Sequence, residues 1–143
     1  MSTPRLEIRD IIKSFDGRRI VDDVALTVMP GQVTCLLGPS GCGKSSTLRI
    51  IAGVDMQDSG TIQVDGKLVC DTINRVPPEG RSIGLMFQDF ALFPHLSVAD
   101  NVGFGLRGNL KNNMIRISEL LERVGMTQHL KAYPHELSGG EQQ

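Results

Sequence analysis

Hydrophobic and polar positions first fall into a strand-like pattern. Leu6, Ile8 and Ile11–Ile12 make an apolar opening segment, and Asp16–Gly17 behind it is a hairpin turn signal. Val21 to Val28 alternates in part, with Val24, Leu26 and Val28 on one face, before Pro30–Gly31 marks another turn. Val33-Thr34-Cys35-Leu36-Leu37 is nearly continuously apolar, the pattern of a parallel strand buried on both faces. A glycine-rich stretch from Gly38 to Gly43 leads into a predicted helix, Ser45 to Ala52, with Leu48, Ile51 and Ala52 at helical spacing. Gly53 to Gly60 reads as a polar loop. Thr61–Val64, Asp65–Gly66 and Lys67–Val69 read as a second hairpin with an Asp-Gly turn. Asn74 to Arg81, with Pro77–Pro78, is an irregular crossing, and Ile83 to Phe87 is a second buried-type strand.

Beyond Gln88 the pattern changes period. Pro94, Ser97 and Asp100 punctuate the chain, Val98 to Phe104 predicts a short helix, and Ser118 to Val124 a second one. On the latter, Leu120, Leu121 and Val124 form the apolar face, with Glu119, Glu122 and Arg123 opposite. Early strands with turns, then a strand–loop–helix unit, predict an α/β fold with an antiparallel edge. The expected division is an α/β core with an antiparallel β subdomain over 1–92 and a helical subdomain over 93–143.

Composition narrows the function. The chain has 143 residues, 40% hydrophobic and 22% charged, with net charge −1, so no global basic field exists to hold nucleic acid or an anionic bilayer. No apolar stretch approaches the length of a membrane span, and the charged start does not resemble a secretory signal. Cys35, Cys42 and Cys70 are odd in number and form no CxxC pair, and the three histidines are not spaced with them as ligands. Reduced thiols in a reducing compartment are expected.

Local chemistry is concentrated in Gly38-Pro39-Ser40-Gly41-Cys42-Gly43-Lys44-Ser45, which matches GxxxxGK[ST], the P-loop. Glycines let successive backbone N–H groups converge on one anion, and the following helix adds its own unpaired N–H groups and the positive end of its dipole. Lys44 would bridge the terminal phosphates, Ser45 Oγ would be a Mg²⁺ ligand, and Ser46 would meet a phosphate with its hydroxyl and N–H. Cys42 occupies a position that the motif leaves free. A tolerated small residue and a thiol activated by the helix terminus and Lys44 are both compatible with that position.

Two further stretches name a family. Leu137-Ser138-Gly139-Gly140-Glu141-Gln142-Gln143 resembles the ABC signature motif, and Gly84-Leu85-Met86-Phe87-Gln88-Asp89-Phe90-Ala91-Leu92-Phe93-Pro94-His95-Leu96-Ser97-Val98 resembles the Q-loop region of ABC importers. Gln88 lies 44 positions beyond Lys44, and Ser138 lies 50 beyond Gln88, which also agrees with the family. The chain is therefore similar, over nearly its whole length, to the ATP-binding subunit of a bacterial ABC importer. Among such importers it is most like the ferric-iron and polyamine groups.

The resemblance implies roles position by position. Phe15 occupies the place of the aromatic residue that stacks on adenine, a core Phe being the other reading. Gln88 would reach Mg²⁺ and the attacking water and begin the loop that senses the permease; otherwise it is a polar strand end. Ser138, Gly139 and Gly140 would contact the γ-phosphate held by a second copy's P-loop. ATP and Mg²⁺ are the implied cofactors. The implied partners are a second copy of the chain, transmembrane permease subunits and, indirectly, an extracytoplasmic substrate-binding protein, with no nucleic acid. The implied location is the cytoplasmic face of the plasma membrane. His95 is assigned to the surface facing the permease and His135 to orienting the signature segment. Neither sits where the family has its switch histidine.

The chain departs from the family in one respect. The family follows its signature with an apolar strand ending in Asp-Glu, whose Glu polarises the attacking water, and no such run occurs here. The expectation is a truncated ABC-type P-loop core that does not hydrolyse ATP at a useful rate alone and folds poorly, because central strands of the parallel sheet would be absent and the remaining ones would expose apolar edges. The rival readings are a non-transport ABC ATPase and an inactive nucleotide-binding fragment.

Overall fold

The computed structural model describes residues 2–108 and 110–143. The chain forms two compact units, Met1–Leu85 and Met86–Gln143.

The first unit is built on an antiparallel sheet of four strands in the order β2-β1-β3-β4, where β1 is Leu6–Phe15, β2 Arg18–Val28, β3 Ser59–Val64 and β4 Lys67–Cys70. Both hairpins turn on the expected Asp-Gly pairs. Asp16 and Gly17, and Asp65 and Gly66, all have positive φ, which is what a two-residue turn matching the strand twist requires. The long β1–β2 pair is irregular at three places, the last an extra Ile20 between Val21 and Arg19. Arg9 and Asp10 oppose Ala25 alone, then Asp22 and Asp23 oppose Ile12 alone, with Asp10 and Asp23 in the left-handed region. As the alternation predicts, Val24 and Leu26 turn toward one face and pack against the core.

Helix α1, Lys44–Ala52, covers that face. Ile50 and Ile51 join Ile8, Ile11, Val21, Ile62, Val64 and Val69 in one buried cluster. The predicted apolar stripe is rotated by one position, since Thr47, Ile50, Ile51 and Ala52 are buried and Leu48 is exposed. Arg81 lies 1% exposed beneath the end of α1. Its Nε donates to Val76 O at 2.8 Å and its Nη1 to Ile50 O and Ile51 O at 2.9 and 3.0 Å. A guanidinium there meets both the orphan carbonyls and the negative end of the helix dipole. A Cβ on Gly53 would lie 2.6 Å from Arg81 Nε, so the absence of a side chain at 53 makes the burial possible.

Two expected strands do not form. Val33–Leu37 and Ile83–Phe87 are irregular, and neither joins the sheet. Val33 is 89% exposed, Leu37 91% and Met86 89%. A parallel strand has no internal hydrogen bonds and exists only beside a neighbour. Among the described residues nothing pairs with these two runs.

The second unit is helical. Helix α2 is Val98–Gly103, α3 is Leu110–Arg123 and α4 is Gly139–Gln142. Ser97 caps α2, accepting from Asp100 N–H at 3.2 Å. Helix α3 begins well before the expected Ser118. Among its described side chains Ile117 and Leu121 are buried, with Met114 beside them, and Val124, just past its end, is exposed rather than on the apolar face. Val98, Ala99 and Leu137 complete this core.

Candidate functional site

The P-loop takes shape because β2 and α1 hold its two sides. Gly43 caps α1 with φ 88°, and a Cβ there would sit 2.3 Å from Ile20 O and 3.3 Å from Val21 Cγ2. Only glycine permits that approach and that backbone conformation together. Inside the first turn, the buried Thr47 hydroxyl donates to Gly43 O at 2.9 Å and locks the cap to the helix.

Lys44 folds back over the loop. Its ammonium donates to Gly38 O at 2.7 Å and Pro39 O at 2.8 Å and approaches Cys42 Sγ at 3.5 Å. No carboxylate of the described residues lies within ion-pair distance of it, so its charge is offset by carbonyl dipoles alone. An ammonium held this way is a cation available to an anion seated in the loop. Ser40, Gly41 and Cys42 are exposed along the same loop. Ser45 is exposed on the first turn of α1, where its hydroxyl is a hard oxygen donor, and Ser46 is half-buried.

These residues fit a magnesium nucleotide. Mg²⁺ keeps most of its waters and takes few protein ligands beside phosphate oxygens. A single Ser45 hydroxyl beside a phosphate cradle suits it. No group of three or more His, Cys, Asp or Glu side chains among the described residues would hold a metal by itself.

Phe15 ends β1 in the same unit and is 46% exposed, which sets aside the reading as a core residue. Lys13 Nζ stands 5.2 Å from its ring centroid. Lys13 also binds Asp58 Oδ1 at 3.0 Å, and Asp58 Oδ2 accepts from Ser14 N–H at 2.7 Å. First the Lys13 hydrogen bond and then the Ser14 amide hold the Asp58 carboxyl below the usual carboxylate range.

The remaining expected site residues belong to the second unit. Gln88 is exposed at a bend. His95 lies edge-on to Phe93, with 6.1 Å between ring centroids. The loop carrying them is tied by Asn101, which the sequence did not single out. Asn101 Nδ2 donates to the carbonyls of Phe93, Leu96 and Ser97 at 3.0–3.1 Å, and Oδ1 accepts from Phe93 N–H at 2.9 Å. An asparagine in the first turn of a short helix, four positions after its Ser97 cap, carries no distinctive signal. Only the returning loop reveals its role.

Ser138 is the N-cap of α4, with φ −64° and ψ 159°. Gly139 and Gly140 are exposed, and neither would bring a Cβ within 4 Å of another atom, so the space beside them is open. Glu141 closes the turn. Its Oε2 accepts from Ser138 N–H at 2.8 Å and from Ser138 Oγ–H at 2.6 Å. His135 stacks on Tyr133 at 5.9 Å rather than bonding the signature directly, while Gln142 Nε2 donates to Pro134 O and Leu137 O. Beside this turn is a mainly apolar cavity of about 410 Å³, with Val98, Val102, Leu121 and Leu137 among its lining residues. Its lining does not suit a phosphate. No helix among the described residues is long and apolar enough to cross a membrane.

Comparison with known proteins converges on one family. Residues 21–143 match the ABC transporter family profile. The chain is 45% identical over 139 residues to "Fe(3+) ions import ATP-binding protein FbpC 2" of Pectobacterium atrosepticum, covering 96% of this chain and 40% of that protein. It is 46% identical over 144 residues to "Putrescine transport ATP-binding protein PotG" of Escherichia coli, covering 99% of this chain and 37% of that protein. To "Spermidine/putrescine import ATP-binding protein PotA" of Nitrosospira multiformis it is 48% identical over 141 residues, covering 96% and 38%. The chain thus spans about 40% of the length of these relatives.

Proposed function

This chain belongs to the ABC transporter family, and from that premise we propose that it binds Mg-ATP as the energy-coupling part of a bacterial import system. The observation that carries the proposal is the Gly38–Ser45 loop seated at the start of α1, with the Lys44 ammonium held by groups of the loop itself. Phosphate oxygens would take the place of those carbonyls at Lys44, and backbone N–H groups of the loop and first helical turn would surround them. Ser45 would hold Mg²⁺, which supplies neutralisation of phosphate charge when bound. Phe15, exposed in the same unit, would offer the base a π-face. Such stacking is tolerant of base identity.

Ser138, Gly139 and Gly140 would receive the γ-phosphate of a nucleotide held by a second copy, so that binding and dimer closure are one event. Gln88 would complete the Mg²⁺ and water shell, and the Gln88–Ser97 loop would pass closure to a membrane permease. His95 would lie on that permease-facing surface. The similarity to ferric-iron and polyamine import proteins supports one of these as cargo. The cargo itself would be chosen by the permease and an extracytoplasmic binding protein.

Fluorescent-nucleotide titration tests the binding step. The chain is expected to bind Mg-ATP, and Lys44→Ala to weaken that affinity by roughly ten- to a hundredfold, the scale of one charge-assisted phosphate contact. Equal affinity in both proteins defeats the proposal. Hydrolysis is expected not to exceed the Lys44→Ala background, because these 143 residues contain no apolar strand ending in Asp-Glu to polarise water.

A further inference from the structure

Ser138 has one hydroxyl proton and one amide proton, and both already point at an anion. Glu141 Oε2 takes the hydroxyl at 2.6 Å and the amide at 2.8 Å. A phosphate arriving at Ser138 would want the same two donors, so Glu141 is its built-in competitor. The second carboxylate oxygen is not idle. Glu141 Oε1 lies 3.3 Å from His129 Nε2, on the short turn Thr127–His129. We propose that His129, acting through Glu141, is a positioning residue that sets how readily Ser138 gives its hydroxyl proton to a nucleotide phosphate. This rests on the reading that Ser138 meets a phosphate.

The direction follows from charge. A protonated His129 donates Nε2–H to Oε1 and draws electron density away from the oxygen that holds Ser138. It also cancels the negative charge that an approaching phosphate would meet. A neutral His129 leaves Glu141 fully charged and fully competitive. Nucleotide engagement at Ser138 therefore strengthens as His129 gains its proton. The environment of Glu141 agrees, since its carboxyl is held below the usual range by the Ser138 hydroxyl, then the Ser138 amide, with His129 contributing.

Other charges near this turn are accounted for. Among the described residues Glu141 is the only carboxylate within 4 Å of a His129 ring nitrogen. Helix α3, packed against the turn, brings Arg116 and Glu119, paired with each other at 3.2 Å, and the exposed Glu122 and Arg123 of its last turn. Lys131 is exposed on the chain leading away. The turn ahead of the signature brings Glu136, whose carboxylate accepts from Tyr133 N–H at 2.7 Å, and His135, which stacks on Tyr133.

The experiment follows His129 by NMR in the wild-type chain, with and without saturating Mg-ATP, and measures nucleotide-driven dimerisation by sedimentation between about pH 5.5 and 8. Linkage is reciprocal, so nucleotide must raise the His129 pKa by the factor with which protonation favours the dimer, expected to be about three- to tenfold. His129→Gln should flatten the pH profile of the dimer. Glu141→Gln should flatten it and tighten the dimer, and adding His129→Gln to it should change nothing further. His135→Gln should keep the wild-type slope whatever it does to absolute affinity. A His129 titration unmoved by nucleotide, or an unchanged slope in His129→Gln, overturns the inference while leaving the binding proposal intact. If no protein forms a nucleotide-dependent dimer, although Lys44-dependent nucleotide binding persists, the role given to Ser138 fails and takes this inference with it.

Discussion

Gly41 and Gly43 stand two positions apart in one loop, and both have positive φ, 82° and 88°. They differ in what a side chain would meet. A methyl group on Gly41 would find no atom within 4 Å, whereas on Gly43 it would strike the Ile20 carbonyl oxygen at 2.3 Å. Gly41→Ala should therefore cost only the left-handed penalty, about 1–2 kcal/mol. Gly43→Ala adds a backbone collision that must move β2 or the loop, and should cost about 2–4 kcal/mol. Chemical denaturation would measure both, and the order of the two losses is the point at issue. The pattern GxxxxGK[ST] fixes Gly43 and leaves position 41 free. The physical reason Gly43 is needed, the neighbouring strand, is not encoded in any spacing within the motif. Arg81 makes the same point more strongly. In the sequence it is one arginine in an irregular Pro-rich crossing, and only burial under α1 shows that it terminates that helix.

Among the elements, the antiparallel hairpins were legible because their information is local. Asp-Gly turns and alternating apolar residues specify β1–β2 and β3–β4 without help from distant chain. The runs Val33–Leu37 and Ile83–Phe87 were legible only as apolar, because a parallel strand depends on neighbours that composition does not supply. Helix faces were read one step off at Leu48 and Val124, where the covering surface decides which of two adjacent apolar residues turns inward. One tertiary tie between elements has a pH signature. Asp58 fastens the loop before β3 to β1 through Lys13 and the Ser14 amide, and its carboxyl is held below the ordinary value in the folded chain. A depressed folded pKa contributes stability above the unfolded pKa of about 4, and that contribution is lost as pH falls through the folded value. Asp58→Asn should lower the denaturation midpoint at pH 7 and make it less sensitive to acid below about pH 4. An acid profile parallel to wild type would show that Asp58 carries none of this linkage.

Across the molecule as a whole, each of the two units has a buried cluster of its own, yet each also leaves large apolar side chains in water. Val33 at 89% and Leu37 at 91% exposure lie in the run immediately before the Gly38–Ser45 loop, and Met86 at 89% begins the second unit. Scattered surface apolar residues are ordinary. A β-prone run such as Val33-Thr34-Cys35-Leu36-Leu37, lacking sheet partners, is not, since its backbone donors and acceptors are also open to another strand. The 143-residue chain should therefore bind an environment-sensitive apolar dye and self-associate at roughly tens of micromolar. Leu37→Asp places a charge at the most exposed of these positions and touches none of the buried cluster. It should reduce association, measured by light scattering, without lowering the denaturation midpoint by more than about 0.5 kcal/mol equivalent. Were this run instead held against a partner strand in solution, the same substitution would destabilise the fold by several times that amount. The two outcomes thus decide whether Val33–Leu37 behaves in this chain as a free segment or as the buried strand its composition suggests.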